Sequence, residues 1–237
     1  MTYPAKSSDP LLSFEALEGG YADTRVLRGM SGQVAAGACL AVLGRNGVGK
    51  TTLARLLMGY LTPFAGTVRY QGQDLSALPP YRRNQLGISY APQELVVFDN
   101  LSVADNLVLH RPSRDLQPYE SYFQRFPRLR ERLRQQAGTL SGGEKKILSF
   151  CRVLAEERAL ALLDEPTEGV QKENIDHMAA LVLEHKRRGK AFLVIEQNIA
   201  FLEAIADDFL VLDHGEVVAA GSAVAFDRRR LAEYLTV

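Results

Sequence analysis

A glycine-rich stretch at residues 44–52, GRNGVGKTT, has the residue types and spacing of a phosphate-binding loop. Gly44 and Gly49 let the backbone wrap closely, so that successive N–H groups point at phosphate oxygens. A helix that begins near Lys50 adds its unsatisfied N–H groups and the positive end of its dipole. Lys50 can reach β and γ phosphates, and the Thr51 hydroxyl can bind Mg²⁺. The stretch therefore predicts a nucleoside triphosphate site.

Two adjacent carboxylates, Asp164 and Glu165, follow an apolar run at residues 159–163. Their burial at the end of a strand would be costly unless they manage a cation or a proton. Beside a phosphate loop, Asp164 would hold Mg²⁺ through its water shell, and Glu165 would polarise an attacking water. Such a pair can also simply cap a helix. The phosphate loop favours the catalytic interpretation.

A third polar group ends the stretch LVIEQN at residues 193–198. Residues 191–195 are apolar without alternation, which predicts a strand buried on both faces. Glu196, Gln197 and Asn198 follow at its carboxyl end, where open parallel sheets bind ligands. The alternative is a solvated loop, since loops are usually polar.

These residues need an α/β framework to bring them together. The apolar residues 38–43 run into the glycine loop, and leucines at helical spacing predict a helix over residues 51–60. Residues 11–43 alternate apolar segments with glycines, which predicts short strands joined by glycine turns. Later segments predict helices at about 172–188 and 199–206, and a hairpin that pairs 209–212 with 216–219.

The composition changes between residues 99 and 137, where charged and aromatic residues and prolines replace the β-type runs. The stretch RLRERLRQQ, residues 128–136, predicts a helix. Five arginines resemble an RNA-binding patch at first sight: Arg125, Arg128, Arg130, Arg132 and Arg134. A solvated helix face in an inserted helical subdomain is the favoured interpretation, because charge runs usually face water.

Composition is typical of a folded protein with no net charge. The chain has 237 residues, of which 46% are hydrophobic, and 28 basic residues balance 28 acidic ones. That balance argues against nucleic-acid binding by the whole chain. Cys39 and Cys151 lie in apolar surroundings without metal-ligand spacing, as buried thiols in a reducing compartment do. We see no signal peptide and no apolar stretch near the roughly 18 residues that cross a bilayer. A soluble, intracellular chain is expected, which would reach a membrane only by docking.

The motif LSGGE, residues 140–144, precedes the strand that ends at Asp164. With GRNGVGKTT and DEPT in the same order, the chain resembles the nucleotide-binding subunits of ABC transporters from about residue 13 onward. The resemblance implies an α/β P-loop domain of ABC type that binds ATP and Mg²⁺. It also implies a mainly parallel sheet, an N-terminal antiparallel β subdomain and an inserted α-helical subdomain. The single domain would span 1–237, with 13–98 and 140–237 as the α/β core with its antiparallel β part, and 99–139 as the insertion.

The resemblance assigns roles to single residues. Tyr21 would stack on adenine, although a half-buried strand tyrosine is the alternative. Gln93 would link Mg²⁺ and the attacking water to the transmembrane partner, a bridging role that suits an amide. ATP contacts are implied for the loop residues Gly44, Asn46, Gly47, Gly49, Lys50, Thr51 and Thr52. Ser141, Gly142 and Gly143 would complete the ATP site of an opposite subunit, so hydrolysis would require a dimer.

Two segments depart from most family members. Gln197 stands where a histidine usually contacts the γ-phosphate, so an amide would make that contact. The catalytic residues implied by the resemblance are Glu165, Gln93 and Gln197. Residues 168–171, EGVQ, replace a Ser-Ala-Leu-Asp-like segment. The VEQN and TEGVQ stretches, the insertion of roughly 40 residues and the closing LAEYLTV are similar to the branched-chain amino acid and urea or short-amide uptake branch.

That branch implies a chain that powers solute uptake from the cytoplasmic face of the inner membrane, as a peripheral subunit. The implied partners are a second ATPase subunit, identical or different, two transmembrane permease subunits and, indirectly, an extracytoplasmic solute-binding protein; no nucleic acid is implied. The alternatives are an ABC ATPase acting on nucleic acid or ribosomes, and a nucleotide switch without turnover. The intact Lys50, Asp164 and Glu165 disfavour the switch.

Overall fold

The computed structural model describes residues 10–94 and 96–223, in which ten strands form two sheets. The closing LAEYLTV segment and the first nine residues lie outside these ranges. The strands are β1 (Leu12–Tyr21), β2 (Thr24–Val34), β3 (Cys39–Gly44), β4 (Ala65–Tyr70), β5 (Gln73–Asp74), β6 (Ile88–Ala91), β7 (Leu160–Asp164), β8 (Ala191–Ile195), β9 (Asp208–Asp213) and β10 (Glu216–Ser222).

The helices lie between and beside these strands. They are α1 (Lys50–Met58), α2 (Pro80–Leu86), α3 (Val103–Val108), α4 (Glu120–Arg125), α5 (Pro127–Glu131), α6 (Gly142–Ala155), α7 (Lys172–Arg187) and α8 (Ile199–Ile205), with 3-10 turns at Gln117–Tyr119 and Ala137–Thr139. Across the described residues, no helix combines the length and the apolar character that crossing a bilayer requires.

The larger sheet has the strand order β10-β9-β3-β8-β7-β6, and all its pairings are parallel except that of β9 with β10. Every residue of β3, β7 and β8 is buried. Successive residues face opposite layers: Ala41 and Leu163 pack into one hydrophobic cluster, and Leu40 and Leu162 pack into the other. Burial on both faces explains the unbroken apolar runs, and the predicted fold class is confirmed.

The smaller sheet is antiparallel, with the order β2-β1-β4-β5. The prediction of short strands joined at glycine turns is wrong here. Gly19 and Gly20 lie inside β1, and the chain reverses at residues 22 and 23 instead. A Cβ on Gly20 would lie 1.9 Å from the carbonyl oxygen of Thr24, so glycine is required by a close backbone approach in an irregular ladder, not by a turn.

Between residues 99 and 139 the chain is helical but broken into short pieces. The helix predicted over residues 128–136 ends at Glu131, so that prediction is wrong for its second half. The carbonyl oxygens of Leu133 and Gln135 accept hydrogen bonds from the backbone N–H groups of Ala104 and Val103 at the start of α3. These long-range bonds replace the bonds that a continued helix would make, and tertiary context overrides local propensity.

A buried arginine fastens the far end of the phosphate-loop helix. Arg83, on α2, is fully shielded from solvent and donates to the carbonyl oxygens of five residues: Leu56, Leu57, Leu75, Ser76 and Leu78. Two of these carbonyls belong to the last turn of α1. Burial lowers the Arg83 pKa to about 10. The guanidinium fork thus fixes the carboxyl end of α1 to the loop before α2.

Arg83→Met should therefore lower the free energy of unfolding by about 2–4 kcal/mol, because buried carbonyl groups lose their donors. The neighbouring Arg82 is exposed, and Arg82→Met should change the same quantity by less than about 0.5 kcal/mol. Urea unfolding followed by circular dichroism measures both variants. Equal losses for the two arginines would contradict this role.

Candidate active site

The carboxyl ends of four parallel strands form one edge of the larger sheet, and the predicted chemical groups meet there. Lys50 follows β3 at the start of α1, Gln93 follows β6, Glu165 follows β7 and Gln197 follows β8. The strand order β3-β8-β7-β6 places their carboxyl ends side by side. Residues separated by up to about 150 positions are thereby assembled by the topology, as expected for open α/β sheets.

The phosphate loop is shaped by its glycines. Gly49 takes a φ of 109° as the residue before α1, in the region that favours glycine. Lys50 is buried, and its Nζ donates to the carbonyl oxygens of Gly44 at 2.8 Å and Arg45 at 2.9 Å. Burial lowers the Lys50 pKa, which the negative charge of Glu165 opposes. The Lys50 side chain thus folds back and hydrogen-bonds to the phosphate loop that precedes it.

Glu165 lies at the centre of the cluster. Its Oε1 is 3.7 Å from Lys50 Nζ and accepts a hydrogen bond from Gln197 Nε2 at 3.2 Å. Its Oε2 accepts from Gln93 Nε2 at 2.8 Å. The Glu165 backbone has a φ of 48°, which costs a non-glycine residue about 1–2 kcal/mol. A strained residue with a fully engaged carboxylate is typical of a functional position.

Asp164 offers a carboxylate oxygen that has no hydrogen bond from the described part of the chain. Tyr90 donates to its Oδ2 at 3.3 Å, while the buried Oδ1 has no hydrogen-bond partner among the described residues. Burial, and then the charge of Glu165, raise the Asp164 pKa to about 6. Thr51 donates to Gln93 Oε1 at 3.3 Å nearby. Carboxylate, hydroxyl and amide oxygens are hard ligands, so Asp164, Thr51 and Gln93 fit Mg²⁺ shared with substrate phosphates.

The polar residues that follow β8, which are Glu196, Gln197 and Asn198, form hydrogen bonds within the protein. Glu196 is buried and accepts from the Thr167 N–H at 3.1 Å, the Thr167 hydroxyl at 2.7 Å and the Gln197 N–H at 2.7 Å. Gln197 also donates its side-chain amide to Asn46 of the phosphate loop, and Asn198 caps α8 through the Phe201 N–H. Sequence reasoning missed the role of Glu196, although a carboxylate directly after a buried strand was its signal.

Tyr21 lies at the rim of the cleft above the phosphate loop. It ends β1, is 41% exposed and accepts a hydrogen bond from Arg55 at 3.0 Å. The cleft has a volume of about 350 Å³ and is lined by Tyr21, Val26, Asn46, Gly47, Gly49, Lys50, Thr51, Thr52, Gln93 and Glu165. The structure therefore brings Tyr21, two of the predicted catalytic residues and the predicted loop residues other than Gly44 to one cleft. Gly44 and the third predicted catalytic residue, Gln197, do not line it.

Ser141, Gly142 and Gly143 lie elsewhere on the chain. Ser141 caps α6 and forms a reciprocal capping box with Glu144, and Gly142 is the first residue of α6. Ser141 and Gly143 line a second cleft of about 370 Å³ between α5, α6 and α7. The two clefts share no lining residue, so the structure does not bring Ser141 and Gly143 to the phosphate loop of the same chain.

The arginine run between residues 125 and 132 is matched by carboxylates. Arg125 pairs with Glu184 and Arg130 pairs with Glu120. Arg132 lies 2.9 Å and Arg128 lies 3.9 Å from the carboxylate of Glu144. Three carboxylates thus lie beside four arginines and offset most of their charge, so the run is not a free basic patch. The side chains of Arg128 and Arg130 are also solvated, at 74% and 56% exposed.

Fold and site together define a nucleotide-binding protein with a phosphate loop. A family model described as ABC transporter matches residues 27–168. The chain belongs to the ABC transporter family and carries its ATP-binding, ATP-hydrolysing domain. The family prediction from the three motifs is confirmed.

Individual relatives align over most of the chain. A high-affinity branched-chain amino acid transport ATP-binding protein, BraG, from Pseudomonas aeruginosa is 32% identical over 91% of this chain and 94% of its own length. A lipopolysaccharide export system ATP-binding protein, LptB, from Acidithiobacillus ferridurans is 34% identical over 90% of each chain. A solved structure of an ATP-binding subunit of an ABC transporter is 25% identical, with a TM-score of 0.82 over 94% of this chain and 98% of that chain.

The raised pKa of Asp164 predicts a pH-dependent stability of the metal-free protein. Because the folded pKa lies above the ordinary value, the carboxyl group favours folding while protonated, and this contribution is lost as the pH rises through about 6. Asp164→Asn has no such proton to lose. The free energy of unfolding of Asp164→Asn, minus that of the wild type, should therefore increase by about 1 kcal/mol between pH 5 and pH 7.5.

Urea unfolding at both pH values, in the presence of a chelator, measures this difference. Asp23 is exposed in the reversal between β1 and β2, so Asp23→Asn is the control and should show no such growth. A constant difference between Asp164→Asn and the wild type would contradict the assignment of the pH dependence to Asp164.

Proposed function

We propose that this chain is the ATP-binding and ATP-hydrolysing subunit of a transporter that imports branched-chain amino acids, urea or short amides. The observation that carries the hydrolytic part is the placement of Glu165 between Lys50, Gln93 and Gln197. A carboxylate held at the edge of a phosphate-binding cleft is placed to accept a proton from water as it attacks the γ-phosphate. We also propose the predicted domain assignment, a single domain over residues 1–237 with the helical insertion at 99–139.

Each residue of the cleft has a proposed task. Gly44, Asn46, Gly47, Gly49 and Thr52 shape the loop, whose N–H groups bind the phosphates, while Lys50 leaves its loop carbonyls to bind the β and γ phosphates. Thr51, Asp164 and Gln93 would hold Mg²⁺. When bound, Mg²⁺ supplies positive charge to the triphosphate. Tyr21 lies where adenine can stack on its exposed ring. Gln197 donates an amide N–H to the γ-phosphate.

A second subunit completes the site. Ser141, Gly142 and Gly143 belong to a capped helix N-terminus that lies away from the phosphate loop of their own chain. We propose that this segment binds the ATP of an identical or a related partner, so that two nucleotides lie between two subunits. The separation of the two clefts on one chain supports this arrangement.

The transport assignment rests on the relatives. BraG and a LivF protein from Archaeoglobus fulgidus, both 32% identical, are described as branched-chain amino acid transport ATP-binding proteins. We propose two permease subunits as direct partners, an extracytoplasmic solute-binding protein as an indirect partner, and a peripheral position on the cytoplasmic face of the inner membrane. Lipopolysaccharide export is the second candidate, since LptB is 34% identical. The paired arginines disfavour action on nucleic acid or ribosomes.

The transported solute can be tested in the assembled complex. The subunit would be reconstituted in vesicles with the permease subunits that co-purify with it and with a solute-binding protein of the same organism. Uptake of labelled leucine or urea that depends on ATP would support the proposal. ATPase stimulation by lipopolysaccharide, without uptake of either solute, would instead support the export candidate.

Glu165→Gln should abolish turnover while ATP binding persists. The amide keeps the shape of the side chain but cannot accept the proton, so we expect kcat to fall by about 100-fold or more. ATP should then accumulate in a stable dimer, which size-exclusion chromatography detects. Glu15→Gln, at an exposed position of the smaller sheet, is the matched control. Near-normal hydrolysis by Glu165→Gln in the assembled complex would refute its assignment as the base.

Gln197→Ala should lower turnover by roughly 10- to 100-fold, because it removes a charge-assisted hydrogen bond to the γ-phosphate worth about 1.5–3 kcal/mol. ADP lacks that phosphate and should bind almost unchanged. Gln197→His should keep substantial activity, since an imidazole N–H can donate from the same position. ATPase rates and ADP calorimetry on both variants test this. Full turnover by Gln197→Ala would leave Gln197 without a role in catalysis.

A further inference from the structure

A second lysine lies behind the catalytic cleft, on the helix that begins at the LSGGE motif. Lys146 is the fifth residue of α6 and is only 9% exposed. Its Nζ donates to the backbone carbonyl oxygens of Gln93 at 2.8 Å and of Glu165 at 3.0 Å. It also lies 3.5 Å from Oε2 of Glu168. One ammonium thus contacts the segment after β6 and two positions in the segment after β7.

Two of the three N–H donors of the ammonium are used in these backbone hydrogen bonds. The carboxylate of Glu168 lies close enough to form an ion pair with the same group. A buried charge without such partners would be costly, so these acceptors account for the burial of the ammonium. The neighbouring Lys145 differs, because its ion pair is with Asp99, whose side chain is 64% exposed.

The two carbonyl groups belong to the residues whose side chains face each other in the cleft. Gln93 Nε2 and Glu165 Oε2 are 2.8 Å apart. The Glu165 backbone is held from both sides, because its N–H donates to Ile195 at 2.8 Å and its carbonyl accepts from Lys146. This pair of bonds maintains the left-handed backbone of Glu165, with its φ of 48°. Lys146 is therefore placed to influence the direction of the Glu165 carboxylate.

We infer that Lys146 is a positioning residue for ATP hydrolysis, which holds the Gln93 and Glu165 backbones in register and links them to α6. It lines neither cleft, so it acts through the residues that it holds. Since α6 begins at Ser141, the same ammonium connects the LSGGE end of the chain to the hydrolytic edge of the sheet. This inference rests on the proposed function, because it gives Gln93 and Glu165 their catalytic roles.

A positioning role and a merely structural one predict different kinetics. Loss of positioning slows the chemical step while nucleotide binding persists, so kcat falls and KM for ATP is nearly unchanged. A structural role would lower thermal stability and nucleotide affinity together. Glutamine separates the cases further, because its amide can donate two hydrogen bonds without a charge.

The experiment compares Lys146→Met, Lys146→Gln and the control Lys145→Met in the assembled transporter. Measurements are kcat and KM for ATP, ADP affinity by calorimetry, and the thermal unfolding midpoint. We expect Lys146→Met to lower kcat by about 10-fold or more, with KM and ADP affinity within about threefold of the wild type. Lys146→Gln should recover at least about a third of the wild-type kcat, and Lys145→Met should stay within about twofold.

Three results would overturn the inference. They are a normal kcat for Lys146→Met, an equal loss of kcat in Lys146→Met and Lys146→Gln, and a loss of ADP affinity that parallels the loss of kcat. Measuring Glu165→Gln in the same assembly shows whether the positioning role of Lys146 fails alone or the proposed hydrolytic function fails as well. If Glu165→Gln is inactive and Lys146→Met is normal, only the positioning role fails. If Glu165→Gln retains turnover, the catalytic assignment itself fails.

Discussion

Two neighbouring carboxylates, withdrawn from water at the end of a strand that is buried on both faces, impose the main constraint on this protein. Desolvation and mutual repulsion make such a pair costly, so the surrounding groups must supply positive charge and donors. Lys50 lies 3.7 Å from Glu165, and the Tyr90 hydroxyl donates to Asp164 at 3.3 Å. The amides of Gln93 and Gln197 complete the shell of Glu165. Strand β7 lies between β6 and β8, which is why the two amides reach the same carboxylate from opposite sides.

Hydrogen bonds within the protein hold the cleft together, and nucleotide must replace some of them. Lys50 donates to carbonyls of its own loop, and Gln197 donates to Asn46. Asp164 keeps an oxygen without a partner in the described part of the chain, and Glu165 has a strained backbone. Proteins commonly accept such local instability at sites whose function requires it. The fully buried strands around the cleft provide the stability that allows it.

Local patterns explain why much of this site could be predicted from the sequence. A phosphate loop needs its glycines, lysine and threonine within nine residues, and the hairpin turn at residues 213–215 depends on the left-handed φ of His214 and Gly215. Long-range contacts explain the failures. Gly20 is required by a backbone approach across the β1–β2 ladder. Nothing local distinguishes Lys146 from Lys145, because the difference arises from carbonyl groups up to 53 positions away.

Ion pairs attach the helical insertion to the rest of the chain, so salt should affect how firmly it is held. Arg125 joins α4 to α7 through Glu184, and Arg132 joins the segment after α5 to the first turn of α6 through Glu144. These side chains are 17–34% exposed, so mobile ions can reach them. The Debye length falls from about 10 Å at 0.1 M salt to about 3 Å at 1 M. High ionic strength should therefore loosen the insertion against the second cleft, while the apolar contacts of Tyr119 and Phe123 keep it folded.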